Sequence, residues 1–195
     1  MIDELLDVLK ERVSDHLRMS AGWSPNDPQD EWVVFPTSDR LDLVDFKLKV
    51  VTLLLINLEE DHTMRRADPY RRTLPDGTTL PGHPPIVMNA YVLFVSRFAA
   101  YEESLQRISR IAEFFQAHRV LDHENTPRLS KRIEKLLIEL VTLPLSEQNH
   151  LWSMLRTAYQ PSLLYKVRMV VFEDEGATAT PPVDETRTTV KRIAL

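Results

Sequence analysis

Residues 85–118, PIVMNAYVLFVSRFAAYEESLQRISRIAEFFQAH, decide the fold. From Ile86 to Phe98 the side chains are mostly branched or aromatic, and no glycine or proline interrupts them, as in a central strand. At Tyr101 the period changes. Leu105, Ile108, Ile111 and Phe115 recur at three- and four-residue spacing, while Glu102, Glu103, Arg107, Arg110 and Glu113 fall largely on the other side. A strand that runs so directly into an amphipathic helix must pack on it or share one core with it.

Working outward, residues 46–60 (FKLKVVTLLLINLEE) read as a second long strand, alternating at first and almost wholly apolar from Val50 to Leu58. Leu163–Phe172 reads as the last strand, with Tyr165, Val167, Met169 and Val171 on one face. Residues 133–143 (IEKLLIELVTL) fit helix or strand spacing, and Val141, Thr142 and Pro144 favour the strand. A short strand is expected at Glu31–Phe35, stopped by Pro36.

Residues 2–19 carry an apolar stripe, Ile2, Leu5, Leu6, Leu9, Val13 and Leu17, with Asp3 and Glu4 at the positive end of the helix and Arg18 at the negative end. A third helix is expected at Glu147–Tyr159, opened by Ser146, with Leu151, Trp152, Leu155 and Tyr159 inward and Pro161 beyond it. Residues 119–132 read as a polar connection. The order of elements predicts an α+β single domain over 1–173, a mixed and mostly antiparallel sheet packed with three main helices. Residues 174–195 read as a flexible, disordered tail, polar until its last residues, VKRIAL.

Composition narrows the function. The 195 residues carry a net charge of −5, against a general nucleic-acid binder. There are no cysteines, which removes disulfides, thiolate metal sites and cysteine nucleophiles together. No apolar run reaches the ~20 residues that span a bilayer, and the acidic amphipathic start is unlike a signal peptide, so cytoplasmic synthesis with no membrane partner is expected.

Motifs of catalysis are missing. Four glycines, at 22, 77, 82 and 176, exclude both GxGxxG and a P-loop, and neither GxSxG nor HExxH occurs. Glu59, Glu60, Asp61 and His62 follow a buried strand, where metal or acid–base groups often stand, yet neighbours along a strand point to opposite faces. A solvated strand end is the favoured reading there, and a metal-dependent hydrolase using Glu59, Asp61 and His62 the alternative. His118, Asp122, His123 and Glu124 form a looser cluster, read as a helix end. No catalytic residue, metal or cofactor is assigned.

The proline-rich excursion 61–85 is the most suggestive surface. Thr73–Leu80 (TLPDGTTL) predicts a small hairpin around a Pro-Asp-Gly turn. Arg65, Arg66, Arg71 and Arg72 make a basic cluster in an acidic chain, suited to gripping carboxylates or docking a protein. Val190, Ile193 and Leu195 of the terminal hook have the spacing to fill pockets on another surface.

Several segments in succession resemble one family: MIDELLDVLK, then LLLINLEEDHTMRR with PYRR, then PPIVMNAYVLFVSRFAAYEESLQRISRIAEFFQ, then IEKLLIELVTLPLSEQNHLWSMLRTAYQPSLLYKVRMVVF. In that order they resemble the cap, or tail-terminator, proteins of phage-tail-like contractile injection systems. The resemblance implies a non-enzymatic structural protein that forms a homo-oligomeric ring, a hexamer, on the inner tube protein and the sheath protein. It would terminate the tube and anchor the last sheath ring, assembling in the cytoplasm into a particle released from the cell. An adaptor that binds a partner without joining a tube is the remaining alternative.

Overall fold

The computed structural model describes residues 1–20, 31–37, 44–61, 71–73, 79–81 and 87–171. In chain order the elements are α1 (Ile2–Ser20), β1 (Val33–Val34), β2 (Val50–Glu60), β3 (Arg71–Thr73), β4 (Thr79–Pro81), β5 (Met88–Arg97), α2 (Tyr101–Ala117), β6 (Val120–Asp122), β7 (Ile133–Val141), α3 (Leu145–Met154) and β8 (Ser162–Val171). Six strands form one sheet in the order β1-β2-β5-β8-β7-β6. Every pairing is antiparallel except that of β1 with β2, so the sheet is mixed and the fold is α+β.

β5 lies between two long strands, and its composition follows from that position. Val92 and Phe94 point into a core shared with α1 and α2, while Leu93 and Val95 point into a second core on the other face. With both faces covered, the strand has no polar face to alternate with. The first core holds Leu5, Leu9, Val13 and Leu17 of α1 against Ile111, Phe114 and Phe115 of α2 and the sheet. In the second, Trp152 and Leu155 pack with Phe46, Leu54 and Leu164.

Two bulges explain patterns that strict alternation does not. The register shifts between Leu55 and Asn57 of β2, which lets Leu55 and Leu58 pack on the same core although three residues apart. A second shift between Ile133 and Lys135 does the same for Ile133 and Leu136 of β7. This is why 133–143 imitates helical spacing while folding as a strand.

Four expectations are corrected. The strand expected over 46–60 begins at Val50, because residues 48–49 turn and Lys49 takes a left-handed φ of 70°. Phe46 is nevertheless buried, its ring 6.1 Å from that of Trp152. The strand expected at 31–35 shrinks to Val33–Val34, beside Val51 and Thr52. The connection 119–132 contains β6, which extends the sheet by pairing with Lys135–Leu137 of β7. In α2 the inward face is rotated from the expected one. Ser104, Ile111, Phe114 and Phe115 are buried, Ile108 is half-buried, and Leu105 is 42% exposed. Ser104 is inside because its Oγ accepts the Phe98 N–H at 3.0 Å and fixes the turn from β5 into α2.

α1 and α2 meet through an aromatic stack. The His16 ring lies 5.1 Å from Phe114, and His118 stacks against Phe114 at 4.7 Å. Burial lowers the His16 imidazole below its ordinary value of 6.5, opposed by Glu113 and aided by His118. Folding therefore prefers neutral His16: its contribution is complete above the unfolded value and declines as the pH falls through 6.5 toward the lowered one. Thermal melts between pH 7.5 and pH 5 should show a loss of stability that His16→Gln flattens. An unchanged slope in that variant would assign the loss to other groups.

β3 and β4 form a two-stranded sheet of their own. β3 and β4 pair antiparallel, Arg71 with Pro81, Arg72 with Leu80 and Thr73 with Thr79, so the expected hairpin forms with arms set slightly further out. The tail expected from 174 lies outside the described residues, as do Arg65 and Arg66.

Candidate interaction surfaces

The sequence offered two acidic clusters, and both have structural roles. Asp61, at the end of β2, is buried, and its Oδ2 lies 2.6 Å from a guanidinium nitrogen of Arg168 on β8. Glu59 accepts a hydrogen bond from the Tyr91 hydroxyl at 2.9 Å. The two contacts tie β2 to β5 and β8, leaving these carboxylates engaged with the sheet. His62 lies outside the described residues. Among the described residues no three histidine, aspartate or glutamate side chains converge to hold a metal ion.

The second cluster is a turn. Asp122 Oδ1 accepts the backbone N–H groups of Glu124 and Asn125, holding the chain beyond β6. His123 Nε2 lies 2.8 Å from the Ile133 carbonyl, and His118 Nδ1 lies 2.9 Å from the Phe114 carbonyl.

Of the residues expected at an interface, Arg71 and Arg72 stand in β3. Arg65, Arg66, Val190, Ile193 and Leu195 lie outside the described residues.

A surface that sequence reading missed lies at one end of the six-stranded sheet. Val50 pairs with Arg97, Val95 with Ser162, and Leu164 with Val141. These pairings gather the start of β2, the end of β5, the start of β8 and the end of β7. Among the described residues, six large apolar side chains at this end are exposed: Leu48, Tyr101, Leu140, Leu145, Met154 and Tyr159. Leu145 is the extreme case, at 85% exposure on the first residue of α3.

α3 is the reason. It spans Leu145–Met154 rather than Glu147–Tyr159, and Trp152 is its one buried side chain, with Leu155 buried just past its end. Tyr159, expected inward, is 55% exposed and meets Trp152 edge-on at 5.5 Å. Beyond the helix Thr157 N–H bonds to the Trp152 carbonyl and Arg156 N–H to that of Ser153. This Schellman pattern places Arg156 at φ 54°, where glycine is the usual residue. The chain folds back and leaves an open groove of about 550 Å³ between α3 and Tyr159, floored by Trp152. LSEQNHLWSMLRTAY carries no periodic signal of this: Leu145 and Tyr159 stand seven residues either side of Trp152, the spacing of a single helix face.

The opposite end of the sheet is different in kind. Glu60, Met88, Ile133 and Val171 lie there, and the 62–86 excursion and the chain beyond 171 both depart from it. The sheet thus has one apolar end and one end from which two long polar segments emerge.

A family model described as the Pvc16 N-terminal domain matches residues 4–185. The fold is similar to the sheath/tube terminator of the PVC extracellular contractile injection system in its extended state, with a TM-score of 0.58 and 19% identity. That match covers all of this chain and 64% of the terminator. The tube-terminating cap of the anti-feeding prophage is matched at a TM-score of 0.45 and 20% identity, over 72% of this chain and 48% of the cap. A search of curated proteins finds no match.

Proposed function

Because the chain belongs to the Pvc16 N-terminal domain family, we propose that it is a structural cap of a contractile injection particle. In this reading six copies form a ring on the end of the inner tube, stop its growth and anchor the last ring of sheath. The family match over 4–185 carries the proposal. The likeness of fold to a sheath/tube terminator along the whole chain supports it. The protein acts by binding rather than catalysis, is made in the cytoplasm and leaves the cell as part of the particle.

The physics of a ring is compatible with the two unlike ends of the sheet. Head-to-tail contacts bring one patch of a copy against a different patch of the next, and they close when the rotation divides a full turn. The test is assembly. Light scattering across a concentration series should give a mass several times 22.6 kDa, alone or with tube protein, and electron microscopy should show rings on tube ends. A monomer under every condition, tube protein included, would end the proposal.

In the same reading the arginines of the 61–85 excursion face a partner or a neighbouring copy. Glutamate at Arg65, Arg66, Arg71 and Arg72 together should leave the melting transition in place. It should slow association and weaken capping, since reversing several interfacial charges adds direct repulsion. Tubes of normal length with the quadruple variant would show that this loop only keeps the protein soluble.

A further inference from the structure

We infer that the groove on α3 is the receptor for the Val190–Leu195 hook of a neighbouring copy, an arm-in-groove contact that links successive ring members. The inference rests on the ring proposed above and names the surface that one of its contacts uses.

Three observations meet at this groove. It is open, floored by Trp152 and flanked by Leu145 and Tyr159 with Gln148, Asn149, Ser153, Arg156 and Thr157 on its rim, in a charged protein whose other large apolar side chains are, among the described residues, mostly buried. α3 is held by little else, burying only Trp152 within the helix, so one of its faces is presented outward. The backbone beside it is strained. Arg156 and Lys49, the non-glycine residues with left-handed φ among those described, both lie at this end of the sheet. Such conformations cost on the order of 1–3 kcal/mol each, and they cluster where a surface is shaped for a ligand.

The occupant follows from where the chain goes. It leaves β8 at Val171, the end of the sheet opposite α3, after a ten-residue strand of roughly 33 Å. Where the head-to-tail contact of the proposed ring runs along the strands, that exit faces the α3 end of the next copy. Residues 172–189, extended, can span on the order of 60 Å, so the hook reaches across the junction with length to spare. Between Glu173 and Thr189 the sequence has no large apolar residue except Val183, and Val190, Ile193 and Leu195 then supply three anchors close together. Polar spacing followed by apolar anchors suits a contact in which only the anchor residues are ordered, which confines the entropy cost to a few positions.

Crosslinking the full-length chain tests this directly. Tyr159→benzoylphenylalanine is prepared as isotopically light and heavy copies, which are mixed, assembled and illuminated. The expected product joins position 159 to the peptide containing 190–195 in light–heavy pairs. Leu195→Glu and Leu145→Glu should each reduce that product at least tenfold with unchanged melting, and the double variant should do no worse than either single one. Crosslinks confined to one copy, oligomers without crosslinks to 190–195, or a chain that never forms oligomers would each overturn the inference. Rings that cap tubes without the crosslink leave the cap reading standing and remove this one. Crosslinked oligomers that never cap a tube do the reverse.

Discussion

Phe94→Ala should lower stability by about 3–5 kcal/mol, through lost burial and the cavity left behind. Phe94 is fully buried near the middle of β5, with ring centroids 5.6 Å from Phe115 of α2 and 6.1 Å from Tyr165 of β8. The ring therefore joins the strand, the helix that follows it and the neighbouring strand. A loss of this size is a large part of the ~5–15 kcal/mol that holds an ordinary domain together. In a chain of this length it corresponds to a fall in Tm of roughly 6–20 °C. Leu105→Ala, on the outer side of α2, should cost a small fraction of that. Equal losses from the two substitutions would mean that α2 turns a different face inward.

Leu9→Asp should be more damaging, costing at least about 4 kcal/mol, because a carboxylate would enter an apolar core that offers it no compensation. Leu9 sits at the middle of α1, fully buried among Leu5, Val13 and Leu17 and the aromatic residues of α2. Soluble yield and the denaturant midpoint both report the loss. Met19→Lys is the control on the same helix. Met19 is exposed, and a cation near the helix C-terminus is favourable, so the change should stay within about 0.5 kcal/mol. A well-folded Leu9→Asp protein would show that α1 is dispensable to the core.

The elements that sequence reading found best are those whose pattern has one physical cause. α1 shows a clean stripe because one side faces the sheet, and β5 is continuously apolar because both of its faces are covered. Where two causes compete, the pattern misleads. Leu105 has the right spacing for the core, but the Ser104 hydroxyl is drawn inward by the Phe98 N–H and the helix rotates with it. Tyr159 follows Leu155 at helical spacing, yet the helix has already ended at a left-handed Arg156, a conformation that arginine does not advertise. Strand order was not legible either. β8 pairs with β5 and β7 across long separations in the chain, and no local pattern encodes those partners.

The candidate surfaces divide in the same way. The arginines of the excursion stand out as charge against an acidic background, so composition alone marks them. The α3 groove does not, because an exposed leucine and a buried one look alike in a sequence. Only the fold, by ending α3 early and gathering four strand ends beneath it, turns Leu145, Met154 and Tyr159 into a surface.

The end of the β2–β5 pair has a further consequence, for how such a protein can diversify. Glu60 stands opposite Met88, and the next step is closed by the Asp61 N–H donating to the Val87 carbonyl at 2.7 Å. The 62–86 excursion thus begins and ends at one clasped point, and the sheet below is in register whatever lies beyond it. Each doubling of a flexible loop adds only about 0.6 kcal/mol of closure entropy. Insertions, deletions or a grafted peptide in this segment should be accepted at little cost to the scaffold. Lineages could retune what this part of the molecule recognises while inheriting the sheet unaltered.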